Sequence, residues 1–136
     1  RSMNEYKDNY SISLYGLPSW LNYDVLDLEF LEFQNTHFFS SSFIDFENEN
    51  VRDYAKRFQK RYKADPERLA YAGYDLGLYF LSALNNYGPG FYKCIDKHKT
   101  PMLATELNFN FSPADGYRNT YVSIYKMKDF QLWKVK

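Results

Sequence analysis

The first third of the chain alternates short apolar runs with turn signals. Residues 11–15 are strand formers, residues 16–19 break the run, and residues 36–40 form a second apolar run. Between them, apolar residues recur at helical spacing after Asn22 and Asp24, which can cap a helix. These positions are Val25, Leu28, Phe30 and Leu31. The pattern predicts a parallel βαβ unit whose second strand is buried on both faces.

Two longer helices are predicted next. Residues 45–50 are polar and supply a cap, and apolar side chains then recur over three turns. Asp65 is placed to cap a second helix, which continues to a terminating Gly88. Gly73 and Gly77 lie inside this helix, where each glycine costs about 1 kcal/mol relative to alanine. We therefore expect another backbone to approach closely at these glycines.

The apolar period changes to two near the C-terminus. Residues 90–97 predict a short helix, after which apolar and polar positions alternate up to a turn at residues 112–116. Residues 121–127 and 131–135 are two more predicted strands. The whole pattern predicts one α/β unit over residues 1–136, with a βαβ-type parallel sheet flanked by helices and a C-terminal antiparallel meander.

The amino-acid composition limits which classes of partner are expected. Lysine plus arginine and aspartate plus glutamate both total 17, so no net charge favours nucleic acid, and we expect no nucleic-acid partner. The 14 tyrosines and 12 phenylalanines exceed what a core of this size easily hides. We expect some tyrosines at an interface, with core and rim packing as the alternative. Residues 1–3 resemble a cloning remnant, which predicts that the chain is a piece of something longer.

No local motif predicts catalysis, a cofactor or a metal site. The chain has neither a nucleophile elbow nor a glycine-rich phosphate loop, and the alternating acids at residues 45–49 lack the glycine and glutamate of a calcium loop. His37 and His98 lack the spacing of a zinc pair. Cys94 has helical spacing with Phe91, as expected of a small core residue. We therefore expect a protein that is not an enzyme.

The loops after the two predicted parallel strands are the candidate binding site. Ligands gather at the carboxyl ends of strands in open α/β sheets. Ser19 and Trp20 follow the first strand, and Ser40, Ser41 and Ser42 end the second. An aromatic platform with several hydroxyl groups suits a small polar or amphiphilic solute. The alternative is that Trp20 packs beneath its loop and the serines cap a helix.

Asp75 is a sixth candidate site residue. It lies within the long apolar helix, where burying a carboxylate without partners is costly. Two roles fit this position. The carboxylate either accepts hydrogen bonds from the backbone of a neighbouring loop, or it contacts the ligand.

The order of several short segments carries a resemblance. Phe-Ile-Asp at residues 43–45 precedes a helix with Tyr-Ala-Lys-Arg-Phe, which ends in Arg-Tyr-Lys-Ala-Asp-Pro. Residues 70–77 and 80–84 form the next helix, and residues 116–126 form a closing hairpin. In this order they resemble the late part of type I periplasmic binding proteins, which include branched-chain amino-acid receptors. The aromatic-rich sequence is most similar to Bacteroidetes-type cell-envelope members, some with peptidoglycan-binding LysM segments.

This resemblance implies the C-terminal portion of a two-lobed, extracytoplasmic protein that closes over a solute by hinge motion, without chemistry. The chain would cross the hinge near residues 42–45 and again near residues 112–116. The implied partners are an amino-acid-like or peptide solute, the remaining lobe and a membrane transporter. The alternative is a peptidoglycan-associated structural module of the cell envelope that keeps the fold without a working cleft. Because an incomplete sheet exposes edges, we also expect a homodimer.

Overall fold

The computed structural model describes residues 9–23 and 27–135. In chain order the elements are β1 (Tyr15–Gly16), a 3-10 helix (Pro18–Asn22), α1 (Leu28–Phe33), β2 (His37–Ser40), α2 (Glu49–Tyr62), α3 (Arg68–Tyr87), a second 3-10 helix (Gly88–Cys94), β3 (Phe109–Ser112), β4 (Gly116–Asn119), β5 (Ser123–Lys128) and β6 (Gln131–Val135). Within the described ranges, no helix is both long and apolar enough to cross a membrane.

The contacts divide the chain into two compact units. Of the described residues, unit 1 contains those up to Ser40 and those from Val122 onward, and unit 2 contains Ser41–Tyr121. The chain therefore passes from unit 1 to unit 2 and returns once. The first passage lies next to the predicted crossing at residues 42–45. The second differs from the prediction, because residues 112–116 form the turn between β3 and β4 inside unit 2.

Unit 1 is a four-stranded mixed sheet in the order β1, β2, β5, β6. β1 and β2 are parallel and joined through α1, whereas β2 with β5 and β5 with β6 are antiparallel. The predicted fold class is confirmed: the chain combines a parallel βαβ pair, helices and antiparallel C-terminal strands.

Two details of the predicted βαβ unit are wrong. The first strand has only two residues, Tyr15 and Gly16. Residues 11–14, which were predicted to belong to it, lie before the strand. α1 begins at Leu28, where the side chain of Asp27 accepts a hydrogen bond from the backbone N–H of Glu29 and caps the helix. Asn22 belongs instead to the 3-10 helix, and Asp24 lies outside the described residues.

β2 is buried on one face only, contrary to the prediction. Phe38 is buried, whereas Phe39 on the opposite face is 44% exposed. Strand residues alternate between faces, and only one face of this sheet is covered by the core. That core is built from Leu31, Phe38 and Met127, with Trp20, Leu21 and Leu132 packed against it.

Unit 2 contains the two long predicted helices, and both are present. Asn48 caps α2 by accepting from the backbone N–H of Asn50, as the polar stretch predicts. α3 starts at Arg68 with Glu67 at the cap position and no side-chain cap, so the predicted cap by Asp65 is wrong. Gly88 ends α3 with a φ of 68°, a left-handed conformation that favours glycine.

The predicted meander is divided between two sheets. β3 and β4 form a separate two-stranded sheet in unit 2. β5 and β6 instead extend the sheet of unit 1, where β5 pairs with β2. The alternation of apolar and polar residues identifies these strands but not their partners.

Candidate functional site

The carboxyl ends of β1 and β2 lie at one edge of the unit 1 sheet. The two strands are parallel, with Tyr15 opposite His37. β1 leads into the 3-10 helix that carries an exposed Ser19, and β2 ends at a half-buried Ser40. The structure therefore places these two predicted site residues at the same edge of the sheet, where a solute contact stays a prediction.

Trp20 packs into the core of unit 1. A Cβ added to Gly16 would lie 2.5 Å from Cε3 of Trp20 and 3.2 Å from Cε1 of Phe38. Only glycine leaves enough room for the indole ring at this position. Trp20 thus has the packing role that was the alternative to an open aromatic platform.

Asp75 fastens a loop of unit 2. Its Oδ1 accepts from the backbone N–H of Leu103 at 2.6 Å, and its Oδ2 accepts from Ala104 at 2.8 Å and Thr105 at 2.7 Å. Hydrogen bonds to a charged acceptor are stronger than those between neutral groups. Asp75 is 0% exposed, so in this conformation it offers no surface to a solute. Of the two roles considered for Asp75, the structure therefore shows the first, in which the carboxylate accepts hydrogen bonds from the backbone of a neighbouring loop.

The chain around the predicted serines also binds this loop. The N–H of Glu106 donates to the carbonyl of Ser41 at 3.2 Å, and the N–H of Phe43 donates to the carbonyl of Ala104 at 2.7 Å. The Arg68 guanidinium donates to Oγ of Ser42 at 3.2 Å. Ser41 itself is exposed. Because α2 is capped elsewhere, the alternative that these serines cap a helix is wrong.

A groove of about 500 Å³ opens beside this loop in unit 2. Its lining combines a cation, an anion, an amide and apolar side chains: Lys99, Glu106, Asn108, Met102, Leu107 and Tyr121. Opposite charges beside apolar surface suit an amphiphilic, zwitterionic solute. These residues are not predictable from the sequence, because no motif marks residues 99–108. The one indication in the sequence is Asp75, because a buried carboxylate needs hydrogen-bond donors and a neighbouring loop can supply them.

A buried polar cluster anchors the start of the groove segment. Nε2 of His98 lies 2.9 Å from Oγ of Ser82 and 2.8 Å from Oγ1 of Thr100. The Tyr79 hydroxyl donates to the carbonyl of Ile95 at 3.0 Å, and burial raises the pKa of Tyr79.

The contact between Ser82 and His98 has the geometry of a nucleophile and its base. However, the Ser82 hydroxyl also donates to the Tyr79 carbonyl at 2.9 Å, and the imidazole is buried. We therefore interpret the cluster as structural: its hydroxyl groups hold the backbone carbonyls of Tyr79 and Ile95. In the described part of the chain, no group of three or more His, Cys, Asp or Glu side chains could hold a metal ion.

Comparison with known proteins gives one similar structure. No family profile and no curated protein match the chain. Among solved structures, it is similar to an ABC transporter substrate-binding protein from Desulfitobacterium hafniense in complex with leucine, with a TM-score of 0.49 and 17% identity. The similarity covers 96% of this chain but only 38% of that chain. At this identity and this TM-score, it assigns neither a family nor a function.

Proposed function

We propose that this chain is part of a two-lobed, extracytoplasmic protein that binds an amino-acid-like or peptide solute and performs no chemistry on it. The proposal is carried by the double passage of the chain between two compact units. The chain leaves unit 1 after Ser40 and returns at Val122. Ser40 is the register partner of Ser123 across β2 and β5, so both connections leave unit 1 from adjacent strands.

Adjacent connections favour a hinge. Domain closure is absorbed by a few residues at the ends of elements, while the units on either side stay rigid. Two strands that end side by side can bend together without breaking the sheet that holds them. Hinge closure over a solute is what the resemblance to type I periplasmic binding proteins implies.

The proposed solute contacts are the hydroxyl groups of Ser19, Ser40, Ser41 and Ser42. Ser40, Ser41 and Ser42 lie where the chain passes from unit 1 to unit 2, and Ser19 lies in the 3-10 helix after β1. Asp75 instead holds the loop of unit 2, and Trp20 packs against the core of unit 1.

Thermal unfolding with a panel of L-amino acids and short peptides tests solute binding. A ligand that binds only the native state at 100 times its dissociation constant adds about 2.7 kcal/mol of stability. We expect one member of the panel to raise the melting temperature. The combined Ser19→Ala and Ser41→Ala variant should lose that shift and keep the ligand-free melting temperature, since both side chains are exposed. The absence of any shift at millimolar concentrations would contradict the proposal.

Exposed aromatic rings favour a second candidate function, a cell-envelope module that contacts peptidoglycan. Five of the exposed rings are Tyr10, Tyr23, Phe46, Phe130 and Trp133. Aromatic side chains combine large contact area with low conformational entropy. Cosedimentation with purified peptidoglycan, with no response to the amino-acid panel, would select this function over solute binding.

A further inference from the structure

α2 and the residue after it carry a concentrated patch of positive charge. Six basic side chains and one acidic side chain lie within residues 52–63, although the chain as a whole has 17 of each kind. We call the six basic residues the α2 basic face, and all of them are exposed: Arg52, Lys56, Arg57, Lys60, Arg61 and Lys63. The rest of the chain has an excess of acidic residues, so a formal net charge of +0 conceals an uneven charge distribution.

Three of these cations form a row along the helix. Arg52, Lys56 and Lys60 are four residues apart, so at 3.6 residues per turn they lie within an arc of about 80° and along about 12 Å of the helix. The other three basic residues flank this row or follow its end. Long Lys and Arg side chains can also move their charged ends over several ångströms. The cations of the row can therefore reach one flat surface at the same time.

Most of this positive charge is not neutralised within the part of the chain that the structure describes. Arg52 forms an ion pair with Glu47 at 3.6 Å, and the Glu47 side chain is 91% exposed. Among the described residues, the other five basic side chains form no ion pair. Arg52 with Lys56, and Lys56 with Lys60, are instead like charges one helical turn apart, which disfavours the helix. A surface that supplies negative charge would relieve this repulsion.

The apolar side of α2 is already in use within unit 2. Val51 is buried, and the Tyr54 hydroxyl donates to the carbonyl of Ala70 at 2.9 Å. The aromatic rings of α2 follow this same side, where Phe58 lies 5.9 Å from Tyr54 and 4.6 Å from Tyr62. A helix held in this way has no apolar face to insert into a bilayer, so its contact with lipid is electrostatic. Binding of single-stranded nucleic acid combines cations with stacking rings, which the row of cations does not contain.

We propose that the α2 basic face adsorbs this protein to the surface of an anionic lipid bilayer. Such a surface presents phosphate groups over an extended plane, which the row of cations can contact together. Each Lys or Arg close to an anionic bilayer strengthens binding about fivefold. The excess of acidic residues elsewhere favours approach through α2. A charged face is stable in water, so adsorption is reversible. This inference goes beyond the proposed solute binding and does not depend on it.

Cosedimentation of the 136-residue chain with lipid vesicles tests the adsorption. Vesicles with equal parts of phosphatidylglycerol and phosphatidylcholine supply the anionic surface, and vesicles of phosphatidylcholine alone are the neutral control. We expect binding to the anionic vesicles at about 20 mM salt and release at about 0.5 M salt, where screening is strong. Equal binding to both kinds of vesicle, or binding that salt does not weaken, would overturn the proposal. Binding to single-stranded DNA without binding to the vesicles would overturn it as well.

Two double variants locate the contact. Lys56→Gln with Lys60→Gln removes two charges from the row and should weaken vesicle binding about 25-fold. Glutamine and lysine have similar helix propensities, so the helical circular dichroism should stay unchanged. Lys93→Gln with Lys97→Gln removes the same charge at exposed positions outside α2 and is the matched control. Equal losses in the two double variants would show that overall charge drives adsorption, and the proposal would be wrong. Neither pair includes a proposed solute contact, so any response to the amino-acid panel should persist in both.

Discussion

α2 and α3 belong to the same unit, yet they expose different kinds of side chain to solvent. α2 has one buried residue, Val51, and a mostly charged outer surface that includes Arg52, Asp53, Lys56, Arg57, Lys60 and Arg61. α3 has four buried residues, and its outer surface is largely apolar, with Leu69 and Leu81 among its most exposed side chains. α2 thus presents charged side chains to solvent, whereas α3 carries more apolar surface than the described residues cover.

Tyr54 of α2 contacts α3. The Tyr54 hydroxyl donates to the carbonyl of Ala70 at 2.9 Å, and its ring lies 5.0 Å from Tyr71 and 4.8 Å from Tyr74. α3 then holds the loop through Asp75 and the polar cluster through Tyr79. α3 is thus the scaffold of unit 2, and substitutions in α3 should cost more stability than matched substitutions in α2.

The largest difference is expected between two aspartates. Asp75→Ala leaves three backbone N–H groups without their acceptor, so it should lower the free energy of unfolding by about 3 kcal/mol or more. Asp53→Ala, on the exposed surface of α2, should change it by less than about 0.5 kcal/mol. Urea titration followed by circular dichroism measures both. Equal effects would show that the loop does not depend on Asp75.

Two tyrosines give the next difference. Tyr79→Phe removes a buried donor to the carbonyl of Ile95, which should cost about 1 to 2 kcal/mol. Tyr62→Phe, at an exposed position near the end of α2, should be close to neutral. The same urea titration compares them. If Tyr79→Phe leaves the free energy of unfolding unchanged, the ring contacts of Tyr79, and not its hydroxyl group, contribute its stability.

At the helix caps, the expected order is reversed, and the substitution in α2 should cost more stability than the one in α3. Asn48→Ala removes the side-chain cap of α2 and should cost about 1 kcal/mol. Glu67 holds the same position in α3 without a side-chain cap, so Glu67→Ala should cost a few tenths of a kcal/mol at most. Melting temperatures of the two variants check this. A larger loss for Glu67→Ala would contradict the cap assignment.

The smallest effect at neutral pH concerns tyrosine ionisation. Burial raises the pKa of Tyr54, Tyr71 and Tyr79, so the folded state keeps their protons more tightly than the unfolded state does. The resulting stability is fully present below the ordinary tyrosine pKa of about 10 and is lost as the pH rises further. Tyrosinate absorbance should show a late group of tyrosines that ionises together with unfolding. Complete ionisation of a still-folded chain would contradict this.

The sequence predicts long helices better than short strands. α2 and α3 each carry several turns of apolar periodicity, whereas β1 has two residues and no pattern of its own. Asp75 could be chosen from its burial in an apolar helix. Its partners are backbone N–H groups of a loop 28 to 30 residues later, which leave no mark on side-chain type. For the same reason, the groove at residues 99–108 could not be predicted.

Trp20 shows a different limit. The sequence places this ring after a strand but does not reveal its direction. The contact that decides it is with Gly16, whose missing side chain makes room for the ring. The solvent exposure of the apolar side chains on α3, such as Leu69 and Leu81, is also invisible in sequence, because an apolar helix face looks the same whether or not something covers it. The close approach expected at the two glycines inside α3 is absent within the described residues, where an added Cβ would meet no atom within 4 Å.

The double passage between units also sets an expected order of folding. β2 and β5 pair across all of Ser41–Tyr121, so unit 1 cannot complete its sheet until that long segment is closed into a loop. Closing a long flexible loop is entropically unfavourable, and distant pairings slow folding. If unit 2 folds first, its compaction shortens the loop. The rate at which the unit 1 sheet forms should therefore depend on the stability of unit 2, although the two share no strand.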